Sequence, residues 1–182
     1  MDNYYLFLGR LSKEKGIINL VNAWIEYVRN HSEESLYICG DGPERETVED
    51  IVRQNNPKVV NINVLGGQSR EKALGYISDA KATIIPSIWF EAGPMTVIES
   101  FSMGIPVICS DLGNMGYTII EGENGAKFNP LSADSIVDAI NRFNTYDYEK
   151  LKRNSLITFE EKFSKEKNME LFRKIYEAGK VY

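Results

Sequence analysis

The feature that most constrains the fold of this 182-residue chain is a regular alternation of short apolar runs with longer amphipathic stretches. The apolar runs have the length of buried strands and lie at Tyr4–Leu8, Leu36–Cys39, Val59–Leu65, Ala82–Pro86, Pro106–Ser110 and, as a short candidate, Ala126–Phe128. Strands that alternate with helices predict right-handed βαβ units and a parallel sheet covered on both faces. We therefore expect an α/β fold, namely a Rossmann-like three-layer αβα domain with a parallel sheet.

The amphipathic stretches carry the pattern and the start signals of helices. In the first stretch, apolar side chains recur with a period of about 3.6 residues, at Ile17, Leu20, Val21, Trp24, Ile25 and Val28. Pro43 and Pro94 suit helix starts, because the missing N–H of proline has no intrahelical partner there. Ser69 followed by Glu71 predicts a helix N-cap. Later helices are expected at Asp134–Phe143, Tyr148–Phe159 and Lys165–Ala178.

Composition fits one soluble domain and argues against several function classes. Hydrophobic residues make up 43% and charged residues 26% of the chain, and no run approaches the ~20 apolar residues of a membrane span. The formal net charge of −5 argues against a nucleic-acid partner. Cys39 and Cys109 end apolar runs and are expected to be buried reduced thiols. No Cys/His cluster has metal-ligand spacing, so no metal is expected.

The segment from Pro86 to Glu99 combines a strand end, a loop and a helix start. Glu91 lies in the loop, and Glu99 lies in the second turn of the helix that Pro94 opens. Unpaired N–H groups and the positive end of the helix dipole favour phosphate at such a helix start. The two carboxylates can accept hydrogen bonds from hydroxyl groups. A ligand that carries both phosphate and sugar fits this combination.

The spacing of Glu91 and Glu99, with Gly93-Pro94-Met95 between them, resembles the E-x7-E motif of retaining glycosyltransferase family 4. Three further segments resemble this family in the family's own order, namely 9–16, 40–44 and 102–110. Four motifs over roughly residues 4 to 145 are specific, whereas one alone is weak. The chain is thus similar to the C-terminal donor-binding domain of a glycosyl transferases group 1 enzyme, one half of a GT-B fold.

The resemblance implies a role for each matching residue. The candidate catalytic residues are Arg10 and Lys15, which in the family grip the diphosphate and stabilise the leaving nucleotide, and Glu91, which contacts the donor sugar near its reacting carbon. The family assigns ribose binding to the residue that Glu99 matches. The other candidate nucleotide-binding residues are Gly9, Gly40, Leu65, Gly66, Gly93, Pro94, Met95 and Thr96.

Each of these residues also has a plain structural interpretation. A guanidinium and an ammonium suit phosphate, yet Lys13, Glu14 and Lys15 could equally be a solvated charged loop. Glu99 could be an ordinary carboxylate on a helix surface, and Gly40 could serve a simple βα turn. The family's Phe or second Gly is replaced in the loop 92–95, so the donor sugar stays open.

The resemblance implies a metal-independent transfer of a sugar, with retained anomeric configuration, from an NDP-sugar to an acceptor hydroxyl. No cofactor is expected, since the NDP-sugar is the substrate. Residues 1–145 should form the nucleotide-sugar-binding domain, and residues 146–182 should form C-terminal helices that pack on it or on a missing N-terminal domain. That missing domain would carry the acceptor site, so this chain alone should be inactive in transfer.

The expected location is cytoplasmic, and the setting of cell-surface polysaccharide assembly would add peripheral association of the full enzyme with the inner face of the membrane. Two alternatives remain open. A non-catalytic nucleotide-sugar-binding subunit or sensor would carry the same motifs. A dinucleotide-binding oxidoreductase is suggested by Gly40-x-Gly42, but the third glycine of that motif is absent.

Overall fold

The computed structural model describes residues 4–31, 33–91 and 95–178, and its centre is a six-stranded parallel sheet. The strands are β1 (Tyr4–Leu8), β2 (Ser35–Cys39), β3 (Ile62–Gly66), β4 (Ala82–Ile85), β5 (Val107–Ser110) and β6 (Gly125–Phe128). Their order across the sheet is β3-β2-β1-β4-β5-β6, and every neighbouring pair is parallel. This is the doubly wound order of a Rossmann-like domain, so the predicted fold class is confirmed.

Helices connect the strands and cover both faces of the sheet. They are α1 (Ile17–Val28), α2 (Arg45–Gln54), α3 (Pro57–Val60), α4 (Arg70–Asp79), α5 (Met95–Ser102), α6 (Gly113–Thr118), α7 (Ala133–Phe143), α8 (Tyr148–Lys162) and α9 (Lys165–Ala178). A 3-10 turn, Lys13–Lys15, precedes α1. The predicted cap of α4 is present, since the Ser69 hydroxyl accepts a hydrogen bond from the backbone N–H of Lys72 at 3.3 Å.

The two faces of β1 show how the layers are held together. Tyr5 and Phe7 point into a core shared with α1, α2 and α7, whereas Tyr4 and Leu6 point to the opposite face and pack near α4. All four side chains are buried, as expected for a strand with helices on both sides. Burial of side chains of this size stabilises the fold by roughly 1.5–3 kcal/mol each.

One predicted strand was wrong at its beginning. The apolar run 59–65 was expected to be extended throughout, but Val59 and Val60 belong to α3 and β3 begins only at Ile62. Val60 is buried and its carbonyl accepts a hydrogen bond from the indole of Trp24 at 3.0 Å. Tertiary packing against α1 therefore overrides the strand preference of the two valines.

Other element boundaries differ by smaller amounts. β4 ends at Ile85 and β5 begins at Val107, so Pro86 and Pro106 lie just outside the strands, where a missing N–H donor does no harm. The predicted opening of a helix at Pro43 is also early, because α2 begins at Arg45. Helix α6 was not predicted, since Gly113 and Gly116 are poor helix formers and hide its pattern.

The C-terminal helices behave differently from each other. Helix α8 packs on α5, and its Leu151 belongs to the main core. Helix α9 follows with all of residues 165–177 exposed, including the large apolar side chains of Met169, Leu171, Phe172, Ile175 and Tyr176. Among the described helices, none is both long enough and apolar enough to cross a lipid bilayer.

Candidate functional site

The candidate site lies at the carboxyl ends of β1 and β4, the two strands between which the winding of the sheet changes direction. In a doubly wound sheet the loops after these strands diverge and leave a crevice where ligands bind. Two adjoining cavities occupy this crevice. They share Leu8, Gly9, Arg10 and Thr96, so they form one groove.

The first cavity, of about 150 Å³, holds most residues predicted to contact the diphosphate and the sugar. Its lining includes Arg10, Lys15, Glu91, Met95 and Thr96. The second cavity, of about 380 Å³, is lined at its far end by Gly40, Asp41, Gly67, Gln68 and Glu99. The structure therefore places the two candidate carboxylates at opposite ends of the groove, with Arg10 between them.

The first loop is fixed on two sides by backbone hydrogen bonds. The N–H of Gly9 donates to the carbonyl of Cys39 at 3.0 Å, and the N–H of Leu11 donates to the carbonyl of Asp41 at 2.9 Å. On the other side, the N–H of Ile88 donates to the carbonyl of Glu14 at 3.0 Å. Lys15 is therefore carried by an anchored turn and not by an open loop.

Gly40 allows the close approach of the first two loops. It has a φ of +150°, and a Cβ built on it would lie 1.8 Å from the carbonyl oxygen of Gly9. Its N–H donates to the carbonyl of Gly66 at 2.9 Å, which joins the third loop to the other two. The packing of the chain on itself thus requires glycine here, and its predicted approach to a nucleotide remains a prediction.

Glu91 is held by two partners that converge on one of its oxygens. The Lys15 ammonium lies 2.9 Å from Oε1, and the hydroxyl of Ser87 donates to the same atom. The Glu91 side chain is 15% exposed and that of Lys15 is 33% exposed. Ser87 is buried, and the sequence analysis did not identify it. Its position four residues before Glu91 was the only signal available.

Glu99 also has a cationic partner. The guanidinium of Arg70 lies 3.2 Å from Glu99 Oε1, although Arg70 is 76% exposed and Glu99 only 17% exposed. Arg70 is the first residue of α4 and lies far from Glu99 in sequence. Sequence reasoning missed it, since nothing in the local pattern of α4 points towards α5.

The end of the groove where the base was predicted differs in detail from the expectation. Gly67 and Gln68 line the cavity, whereas Leu65 and Gly66 do not. The side-chain amide of Gln68 donates to the carbonyl of Leu65 at 2.7 Å and fixes the loop. Contact of Leu65 and Gly66 with a base stays a prediction. Gly93 and Pro94 lie outside the described residues.

Two titratable groups at this end of the groove are kept in one state. Burial raises the pKa of the Cys39 thiol to about 11, so the thiol stays protonated and is a poor nucleophile at neutral pH. The N–H of Gly42 and the guanidinium of Arg45 lower the pKa of Asp41, which therefore stays ionised. Both cysteines are buried and free, as predicted.

A larger cavity of about 580 Å³ lies beside the groove and is lined by Ile88, Phe90, Asp111 and Lys127, among others. Lys127 and Asp111 form an ion pair at 3.4 Å. Among the residues that the structure describes, no predicted site residue lines this cavity. We assign the site to the smaller groove because the cations and carboxylates predicted from the sequence converge there.

No cluster of three or more His, Cys, Asp or Glu side chains suited to a metal ion occurs within residues 4–31, 33–91 and 95–178. The expectation of a metal-independent site remains a prediction. The charged groups of the groove are the cations Arg10 and Lys15 and the carboxylates Asp41, Glu91 and Glu99. Such a set can bind an anion and a polyhydroxylated group side by side.

Comparison with known proteins gives a consistent family. The model of the family "Glycosyl transferases group 1" matches residues 1–158. The chain is 31% identical over 143 residues to an uncharacterized glycosyltransferase of Methanocaldococcus jannaschii, which covers 78% of this chain and 35% of that protein. The chain thus spans only about a third of the length of this curated relative.

Solved structures agree on the fold. TarM from S. aureus, solved in complex with fondaparinux, alpha-GlcNAc-glycerol and UDP, superposes with a TM-score of 0.84 at 18% identity, over 96% of this chain and 35% of that one. The C-terminal domain of a glycosyl transferase group 1 family protein from Francisella tularensis superposes with a TM-score of 0.78 at 18% identity, over 90% of this chain and 87% of that one.

Proposed function

We propose a function on the premise that the chain belongs to the glycosyl transferases group 1 family. The chain is the donor-binding half of a retaining, metal-independent glycosyltransferase that moves a sugar from an NDP-sugar to an acceptor hydroxyl. The observation that carries this proposal is the single groove at the β1/β4 crevice. It presents Glu91 and Glu99 at its two ends and Arg10 between them.

The diphosphate lies in the middle of the groove in this proposal. Arg10 and Lys15 bind its oxygens, because charge-assisted hydrogen bonds from cations are the strongest that a protein offers to phosphate. Preorganised cations also stabilise the negative charge that develops on the diphosphate as the glycosidic bond breaks. Met95 and Thr96 begin α5 and extend the same wall of the groove.

The two carboxylates bind the two sugars of the donor. Glu99 accepts hydrogen bonds from the ribose hydroxyls, and the base extends towards Gly67 and Gln68. Glu91 accepts hydrogen bonds from the transferred sugar. The UDP bound to TarM makes uracil the first base to test, although the identity of 18% extends only to the fold.

The anomeric configuration of the sugar is proposed to be retained through a front-face mechanism. The departing diphosphate takes the proton of the acceptor hydroxyl while that oxygen forms the new bond on the face that the diphosphate leaves. Glu91 is not assigned the nucleophile role known from retaining glycosidases. The hydroxyl of the buried Ser87 already donates a hydrogen bond to Oε1 of Glu91.

The acceptor site is assigned to a second domain. The exposed apolar side chains of α9, together with Trp89 and Phe90 at 69% and 71% exposure beside the groove, form surfaces that such a domain would cover. The 182-residue chain by itself is then expected to bind a donor without transferring its sugar. A cytoplasmic location of the full enzyme, with peripheral association at the inner face of the membrane, is part of the proposal.

A thermal-shift screen of the chain against UDP, GDP, ADP and their common sugar conjugates, in buffer with EDTA, tests the proposal. A ligand at ~100-fold excess over its Kd stabilises the folded state by about 2.7 kcal/mol, which gives a clear shift. We expect one family of nucleotides to raise the melting temperature without metal. Stabilisation by none of them would overturn the proposal, and stabilisation only with added Mg²⁺ or Mn²⁺ would overturn its metal-independent part.

A further inference from the structure

The ion pair between Lys15 and Glu91 joins two residues that the proposed function assigns to different parts of the ligand. Lys15 is assigned to the diphosphate and Glu91 to the transferred sugar, yet the two side chains pair with each other at 2.9 Å. A diphosphate that enters the groove must share or replace this pair. The ligand therefore meets an ammonium whose charge is already largely compensated.

We propose that the Lys15–Glu91 pair is a specificity device that favours the sugar-loaded nucleotide over the free nucleoside diphosphate. The inference rests on the proposed function and adds a discrimination within the same groove. A free diphosphate competes with Glu91 for Lys15 and offers the carboxylate no hydrogen-bond donor in exchange. Part of the attraction between Lys15 and the diphosphate is therefore lost in breaking the pair, which opposes binding.

A sugar-loaded nucleotide meets a different situation. Its sugar hydroxyls donate hydrogen bonds to Glu91 and so replace the ammonium as the partner of the carboxylate. Lys15 is then released to the diphosphate without leaving Glu91 unpaired. The same pair of residues thus opposes the free diphosphate and tolerates the sugar conjugate.

Lys15 can exchange Glu91 for the diphosphate without a rearrangement of the surrounding residues. Glu91 stays held by the buried Ser87 hydroxyl, and Lys15 sits on the 3-10 turn that is tied to the neighbouring loop through Glu14 and Ile88. Only the Lys15 ammonium, on its flexible stem, has to move. Both side chains line the same cavity as Arg10.

The Lys15–Glu91 pair also affects the release of the nucleotide product. When the sugar has been transferred, Glu91 loses its hydroxyl partners and can recover Lys15. The grip on the remaining diphosphate then weakens. Re-formation of the Lys15–Glu91 pair therefore assists the release of the nucleotide product.

The test is a double-mutant cycle of nucleotide affinity in the full chain, measured by calorimetry. The probe is whichever of UDP, GDP and ADP gives the largest thermal shift in the wild type. Glu91→Gln removes the charge of the carboxylate but keeps its size and its ability to accept from Ser87. We expect Glu91→Gln to tighten binding of the free diphosphate at least threefold, and Lys15→Met to weaken it.

The decisive measurement is Glu91→Gln in the Lys15→Met background. If the carboxylate acts by holding Lys15, its neutralisation there should change the diphosphate affinity by less than twofold. Equal tightening in both backgrounds would show a general field effect and overturn the device. Glu123→Gln, which removes the same charge from a pair with Lys150 at 2.7 Å, serves as the control and should leave affinity unchanged.

The sugar arm of the experiment completes the test. In the wild type, at least one sugar conjugate of the chosen nucleotide should bind as tightly as the free diphosphate or more tightly, and Glu91→Gln should reverse that order. Unchanged or weaker binding of the free diphosphate by Glu91→Gln contradicts the inference while the proposed function stands. Failure of the wild type to bind any of the three diphosphates contradicts the proposed function itself.

Discussion

The guanidinium of Arg70, at the start of α4, lies 3.2 Å from the carboxylate of Glu99 in the second turn of α5. The contact joins the helix after β3 to the helix after β4 across the end of the groove where the ribose is proposed to bind. The guanidinium contacts Oε1 of the carboxylate in this pair. It can therefore hold the carboxylate in place while the other oxygen accepts a ligand hydroxyl.

Arg70→Ala is predicted to weaken nucleotide binding about threefold, since an exposed ion pair contributes roughly 0.2–1 kcal/mol. Calorimetry with UDP in EDTA measures the effect. Arg53→Ala is the matched control, because Arg53 is also an exposed arginine, 72%, paired with a carboxylate on its own helix α2. Tighter binding by Arg70→Ala would mean that Arg70 competes with the ribose and does not position Glu99.

Arg10→Ala is predicted to weaken UDP binding at least tenfold and to leave the melting temperature of the free protein nearly unchanged. Arg10 is exposed and lines both cavities, and a hydrogen bond to a charged group is worth roughly 1.5–3 kcal/mol. Lys13→Ala removes a charge from the same loop at an exposed residue outside the groove and should have little effect. Equal losses of UDP affinity in both variants would mean that Arg10 acts only through its positive charge and makes no specific contact with the ligand.

Glu99→Ala is predicted to abolish the preference for a ribose diol. The wild type should bind UDP about tenfold or more tightly than its 2′,3′-dideoxy analogue, because the hydrogen bonds from the hydroxyls to a carboxylate are lost in the analogue. The variant should bind the two ligands equally. Glu46→Ala, at an exposed position on α2, should keep the wild-type ratio. A ratio that survives in Glu99→Ala would place the diol elsewhere.

Gly40→Ala and Gly75→Ala are predicted to shift stability in opposite directions. The Cβ of an alanine at position 40 would meet the carbonyl of Gly9 at 1.8 Å on a backbone with φ of +150°, and such strain costs roughly 1–3 kcal/mol. Gly75 lies inside α4, where a Cβ meets nothing within 4 Å, so alanine should stabilise by about 0.5–1 kcal/mol. Urea unfolding measures both, and a Gly40→Ala variant as stable as the wild type would contradict the packing of the first two loops.

The sequence predicted the fold well because parallel strands leave a local pattern. A strand buried on both faces, such as β1 at Tyr4–Leu8, is apolar throughout, and α1 shows one apolar face at a helical period. Both signals depend on residues close in sequence. Two helical segments were not predicted because their local pattern does not show them. In α6 the glycines hide the helical pattern, and at Val59 and Val60 tertiary packing overrides the local preference for a strand.

The sequence by itself also determined which loops belong to the candidate site, because the carboxyl ends of parallel strands share one edge of the sheet. The tertiary structure decided how the side chains pair within that edge. The contact of Lys15 with Glu91 joins two separate loops, and the contact of Arg70 with Glu99 joins helices α4 and α5. Such pairs depend on strand order and on how closely the loops approach, which no local preference for backbone conformation specifies.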